Sequence, residues 1–246
     1  MLVNSMSNIL VLDASSSWCS AALSIDGTLY SAAELQPRKH AQLLMPMIEE
    51  LCGQAGIKPK HLDGIAFGKG PGSFTGLRIA ISVAQGLSLA TGAKLYGISS
   101  LKALAWQGMK TKGVEHVVAI MNAHMGEVFY SAYQKLGNGL EAIVADSLSK
   151  PEQVDLSALV SNETVSELSW LGAGDGFQFI DQMPQISPVI ETIDEEIAAM
   201  AESMMDLALA AWESGEFTTA EHQQPVYLRD TVAWKKLAEQ PSLLKK

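Results

Sequence analysis

Apolar residues in this chain fall in short blocks, and their period changes from one block to the next. Ile9-Leu10-Val11-Leu12 is an unbroken apolar run, which predicts a buried strand ending in the polar turn Asp13-Ala14-Ser15-Ser16-Ser17. Cys19 to Ile25 reads as a second strand, Asp26-Gly27 as a hairpin turn, and Thr28 to Glu34 as a third strand. From Lys39 to Cys52 the period lengthens to that of a helix. Leu43, Leu44, Met47, Ile48 and Leu51 share one face, and Pro46 predicts a kink or a broken turn. Leu62 to Phe67 is a short strand. A glycine-rich run and an apolar helix follow, then a strand over Ala93–Ile98 and a helix from Leu101 capped by Ser99-Ser100.

The same order of strand, polar turn, strand, Asx-Gly and strand returns about 110 residues later, too long an offset for a solenoid repeat. His116 to Met121 leads into Asn122-Ala123, Glu127 to Tyr133 follows, Asn138-Gly139 turns the chain, and Leu140 to Val144 closes the meander. The repetition predicts an α/β chain of two related halves, divided near residue 105. Leu171 to Gly176 forms a second glycine-rich turn. A long helix is expected over Asp194–Ser214, with acids at its start and Gly215 at its end. That helix and the tail, with an extended Val226–Arg229, are free to pack on either half.

Composition narrows the classes. A 246-residue chain that is 48% hydrophobic can bury substantial cores. Its net charge of −10 disfavours direct binding of nucleic acid, which needs an excess of Lys and Arg. Cys19 and Cys52 are too few for a disulfide framework and read as reduced, buried side chains in a cytoplasmic protein. No signal peptide is visible, and Met6 is a candidate start with residues 1–5 upstream of it. The longest apolar stretch, Ile79 to Ala93, is interrupted by Ser82, Gln85 and Ser88 and is too short to span a membrane.

Metal, hydrolase and nucleotide chemistry each have a candidate segment. His40, His61, His116, His124 and His222 never stand three or four apart, so no metal pair is expected. Ser73 lies in Gly72-Ser73-Phe74-Thr75-Gly76, which is not a nucleophile elbow, and reads better as a helix cap. Asp13 and Ser15, after a strand, and Gly172, Gly174 and Asp175, in the second glycine turn, form a candidate nucleotide set. The run Gly68-Lys69-Gly70-Pro71-Gly72-Ser73-Phe74-Thr75-Gly76-Leu77-Arg78 matches neither standard phosphate loop. It cradles a phosphate or shapes a docking surface. In the helix after it, Ala80, Ala84 and Ser88 share one face and Ser82, Gly86 and Ala90 another, spacings that let helices approach closely.

This glycine run, with Gly86-Leu87-Ser88, Gly97-Ile98-Ser99-Ser100-Leu101, Asp13-Ala14-Ser15, Arg38-Lys39-His40, Gly126-Glu127-Val128 and Tyr227-Leu228-Arg229, resembles the TsaB (YeaZ) family along almost the whole chain. The resemblance implies an actin/hexokinase/heat-shock ATPase-like (ASKHA) fold of two βββαβα lobes. Residues 1–105 would then be the lobe carrying partner-binding helices, and 106–246 the second lobe. It implies a noncatalytic scaffold and activator of TsaD in making threonylcarbamoyl adenosine next to the tRNA anticodon. TsaE would be reached through the complex, tRNA only indirectly, and a homodimer would form when TsaD is absent. Histidines expected of a TsaD-like metal pair are replaced here by Ser100 and Leu104, and a leucine cannot ligate a metal. The interface implied comprises His40, Leu44, Met47, Ile48, Phe74, Thr75, Arg78, Ala80, Ala84 and Leu87, on helices 39–52 and 75–90. The family's usual Asp-Ala-Arg is Asn122-Ala123-His124 here, which removes a carboxylate. No nucleotide is therefore expected on the chain alone, and ATP or ADP is expected only at the complex interface. The alternative is a stand-alone ATPase or phosphotransferase of the same superfamily, using the nucleotide set.

Overall fold

β1 (Ile9–Asp13), β2 (Trp18–Ile25) and β3 (Thr28–Leu35) form an antiparallel meander, and β4 (Gly64–Gly70) and β5 (Lys94–Ser99) extend it in parallel on the far side of β1. A second sheet holds β6 (His116–His124), β7 (Glu127–Leu136), β8 (Gly139–Ser149), β9 (Trp170–Ala173) and β10 (Ile190–Asp194). The sheet orders are β3-β2-β1-β4-β5 and, from the matching edge, β8-β7-β6-β9-β10. They are the same order with the same parallel and antiparallel neighbours, so the protein is α/β with two related lobes of the ASKHA kind. The structure, a computed structural model, describes residues 7–137, 139–161 and 169–229. Met6 and Asn138 lie outside the described residues.

β1 reads as a continuous apolar run because both of its faces are covered. Leu10 and Leu12 pack with α1 (His40–Gln54) and α2 (Phe74–Thr91). Ile9 and Val11 face the opposite core, shared with α3 (Ser100–Lys112) and with a later helix, Ala201–Glu213. In the second lobe the outer cover is slighter. The short α4 (Ser157–Ser161) and the 3-10 stretch Asp175–Gln182 stand where α1 and α2 stand in the first. Ala201–Glu213 is α5. α3 follows the first sheet but packs on β6 and β7, whereas α5 follows the second sheet and packs on β1 and β2. The exchange of these two helices ties the lobes together.

Four details differ from expectation. The second lobe carries an edge strand, β10, that was not expected, while its counterpart in the first lobe, β5, is the strand expected over Ala93–Ile98. The first helix is continuous through Pro46, so of the two outcomes expected there the broken turn does not occur. The glycine run begins as strand, because Gly68 and Gly70 pair with Ile98 and Ser99 of β5. The helix expected from Asp194 begins at Ala201, because Asp194 ends β10 instead. Its carbonyl accepts from the Gly174 N–H (3.1 Å), and its Oδ1 accepts from the Glu196 N–H (3.0 Å), making a turn of the acidic stretch. α5 starts where the Ala201 N–H finds the Ser20 hydroxyl of β2, at 3.0 Å.

Candidate functional site

Glycines of the run serve backbone packing. The Ser73 N–H donates to the Ser15 carbonyl at 2.7 Å, so the turn after β1 lies directly on the start of α2. A Cβ on Gly76 would collide with the Ala14 carbonyl, and one on Gly72 with the Ser15 carbonyl. Ser73 caps α2, its hydroxyl accepting from the Gly76 N–H at 3.3 Å. These contacts occupy the first turn of α2 with protein backbone.

Of the five predicted nucleotide residues, two line an open cleft. Asp13 and Ser15 are buried, and Asp13 Oδ2 accepts from both the N–H (3.3 Å) and the hydroxyl (3.1 Å) of Ser15. Burial pushes the Asp13 carboxyl up to about 7. Gly172 lies within β9, where a Cβ would stand 2.6 Å from the Phe177 ring. Gly174 and Asp175 do line a cleft of about 420 Å³ between the lobes, with Trp18, Leu35, Leu104 and Met121. Its other charged lining residues are Glu195 and Glu196. Described residues lining the cleft thus supply three carboxylates and no cation, an arrangement that repels phosphate. Asp175 Oδ1 accepts from the Asn122 N–H at 2.8 Å, which holds the 3-10 stretch to β6. Among the described residues no three His, Cys, Asp or Glu side chains gather to hold a metal. Ser100 and Leu104 are both buried in α3.

The predicted interface residues divide by exposure. Leu44, Met47, Ile48, Ala80 and Ala84 are buried in the first-lobe core, and His40 is buried with its Nε2 3.2 Å from the Trp18 carbonyl oxygen. In this fold these six cannot meet a partner directly, because their rows are what holds α1 and α2 to the sheet. Phe74, Thr75 and Arg78 are exposed and Leu87 is half-buried. The outward row of α2 is the one through Ser82, Gly86 and Ala90, flanked by Ile79, Val83 and Leu89, the last 90% exposed. Arg78 is the sole charge on α2, and its guanidinium sits 3.7 Å over the Phe74 ring. A shallow groove between α1 and α2 runs beside it, lined by Ala41, Phe74, Arg78, Ile79, Ser82 and Val83.

Sequence reasoning missed the part played by the extended tail. The Val226 N–H donates to the Lys69 carbonyl (2.7 Å), and the Tyr227 hydroxyl accepts from Arg78 Nε (3.2 Å). Arg229 reaches the other lobe, where it pairs with Glu127 and donates to the carbonyls of Ala123 (3.1 Å) and His124 (3.4 Å). His124 and Met125 both have left-handed backbone there (φ 58° and 57°), so Arg229 braces a strained turn. The motif Tyr227-Leu228-Arg229 was visible in the sequence, but its partners lie about 100 residues or more away.

Residues 32–237 match the family model described as TsaD, tRNA N6-adenosine threonylcarbamoyltransferase. The chain is 36% identical to tRNA threonylcarbamoyladenosine biosynthesis protein TsaB of Escherichia coli, over 93% of this chain and 97% of that one. It is 30% identical to the Haemophilus influenzae protein of the same name, over 93% and 96%. Among solved structures it is similar to YeaZ from Pseudomonas aeruginosa, with 38% identity, a TM-score of 0.83, and coverage of 91% of this chain and 100% of that one.

Proposed function

This chain belongs to the TsaB (YeaZ) family, and on that premise we propose that it works in tRNA threonylcarbamoyladenosine biosynthesis as a noncatalytic partner of a TsaD-type transferase. The observation that carries the scaffold role is the outward face of α2. It is apolar and small-residued, carries the single charge Arg78, and lies beside a groove rather than under another of the described elements. A partner helix laid along Ser82, Gly86 and Ala90 can approach closely, since a Cβ on Gly86 would meet nothing within 4 Å. Ser100 and Leu104 stand where metal-binding histidines would be, and the carboxylate-lined cleft gives a phosphate no cation, so transfer chemistry is assigned to the partner. On this reading ATP or ADP sits at the partner interface rather than on this chain alone. The same α2 face makes a homodimer when the partner is absent, so the two assemblies exclude each other. An ATPase of the TsaE kind joins through the complex, in the cytoplasm, and tRNA is met only indirectly by so acidic a chain.

The test is a sizing-column experiment with the chain alone, with the transferase, and with a Ser82→Arg variant. A mixed complex that displaces self-association and is lost in the variant supports the reading. Folded proteins that fail to associate in the presence of nucleotide overturn it.

A further inference from the structure

Three buried side-chain atoms among the described residues lack a hydrogen-bond partner, and two of them, Asp13 Oδ1 and Ser100 Oγ, lie beside the same residue, Gly68. Both residues are fully buried. They flank Gly68, where a side chain is missing: a Cβ built there would touch Asp13 Oδ1 and stand 3.8 Å from Ser100 Oγ. An acceptor oxygen of an ionised carboxylate with no donor is costly in such a place. A proton on that oxygen turns it into a donor, with the serine oxygen as its acceptor nearby. We propose that Asp13 and Ser100 form a proton-carrying latch, in which a neutral Asp13 carboxyl donates to the Ser100 hydroxyl, directly or through one water, and fastens the first sheet to the N-terminus of α3.

Position gives the latch its consequence. α3 joins the lobes, and Ser99, next to Ser100, donates to Asp146 of β8 at 2.5 Å, as does Tyr133 of β7 at 2.7 Å. The first turn of α3 therefore takes one carboxyl from each lobe. Loss of the Asp13 proton releases the first-lobe side only. Burial favours the neutral form of Asp13, and the hydrogen bonds it accepts from Ser15 and Ala14 pull the other way without offsetting it. On β2 the nearby titratable group is Cys19, a thiol pushed up to about 11 by burial and then by Asp13 itself. Lys69 of β4 lies against Gly97, Arg78 of α2 lies on Phe74, and Lys110 and Lys112 of α3 pair with Asp206 and Asp194. Lys102 of α3 has no ion pair within 4 Å among the described residues, and Glu202 of α5 accepts from Ser31.

Carboxyl-carbon NMR on the full-length chain tests this, with hydrogen exchange in the first turn of α3 as the second readout. One aspartate signal is expected to titrate near neutrality and to vanish in Asp13→Asn. Ser100→Ala is expected to shift that midpoint and to speed exchange at the start of α3 roughly tenfold at pH 6, with no difference from wild type at pH 8.5. If Asp13→Asn does not fold, the wild-type titration with Ser100→Ala decides alone. The proposal fails if every aspartate titrates below about pH 5, or if Ser100→Ala changes neither midpoint nor exchange.

Discussion

The carboxyl of Asp13 fills the space that a side chain on Gly68 would need. Its Oδ1 lies well inside the 3.0 Å within which real Cβ atoms essentially never have a neighbour. β1 and β4 pair in parallel up to Leu12 and Phe67, so the next residue on each strand falls side by side, and one of the two must be bare. The neighbour is a buried carboxyl held by Ser15, with no room to yield. Gly68→Ala is therefore expected to cost about 2–4 kcal/mol, in the range of a core overpacking with a broken buried polar contact. The loss should shrink in an Asp13→Ala background. Urea denaturation of the two single variants and the double variant measures both; equal losses in the two backgrounds would mean that Asp13 is not the obstacle.

The raised Asp13 carboxyl fixes a sign for pH dependence. Between its unfolded value of 3.8 and about 7 the folded chain holds a proton that the unfolded chain has lost. Stability from this group is complete below pH 3.8, falls as pH rises, and is gone above about 7. The full span is worth at most about 4 kcal/mol. Asp155 and Asp194 act oppositely, since hydrogen bonds from Ser157 and Lys112 hold them below the usual range and their contribution is lost as pH falls. Asp155 is exposed and Asp194 half-buried, and both, held below the usual range, stay ionised above pH 5 in either state, so Asp13 should dominate from about pH 5 to 8. Melting temperature should drop across that window in the wild type and stay flatter in Asp13→Asn; parallel curves would refute the assignment.

Local period and turn chemistry made most strands and helices legible. Ile9–Leu12, Asp26-Gly27 and the Ser99 cap each carry their structure in a few adjacent residues, and the repeated meander gave the two lobes. β10 was hidden because Ile190–Asp194 has only two apolar residues and an edge place in the sheet, so burial leaves little pattern in it. The acidic residues after it resembled a helix start while serving a turn. For the interface, period separated the two rows of α2 but not their direction. Which row faces the sheet depends on where α1 lies, and Ala84 and Ser82 look alike until that is known.

That difference is measurable. Ala84 is completely buried, so Ala84→Arg should unfold the first lobe and report nothing about association. Ser82→Arg, on the exposed row, should leave stability within about 0.5 kcal/mol of wild type and weaken association at least tenfold. Gly86→Ala should stabilise the isolated chain by about 0.5–1 kcal/mol, because its site is open and helical. Thermal melts beside sedimentation of all three variants separate folding from docking. A Ser82→Arg chain that associates normally would remove α2 from the interface.

Arg229 offers the last test, because it joins the tail to a turn that cannot relax alone. Its guanidinium meets Glu127 and the carbonyls of Ala123 and His124, while the same segment holds Lys69 and Arg78 of the first lobe. Losing it leaves two left-handed residues, His124 and Met125, without their brace. Both partners of the ion pair are partly exposed, so screening limits its worth, and the bonds to carbonyls carry the rest. Arg229→Ala is expected to cost about 1–2 kcal/mol. Hydrogen exchange should rise over residues 123–127 and at the start of α2 and leave α1 unchanged. If exchange rises everywhere by the same factor, Arg229 supports global stability and the tail is no strap. If it rises only at the turn, the tail braces the second lobe without coupling it to the α2 surface.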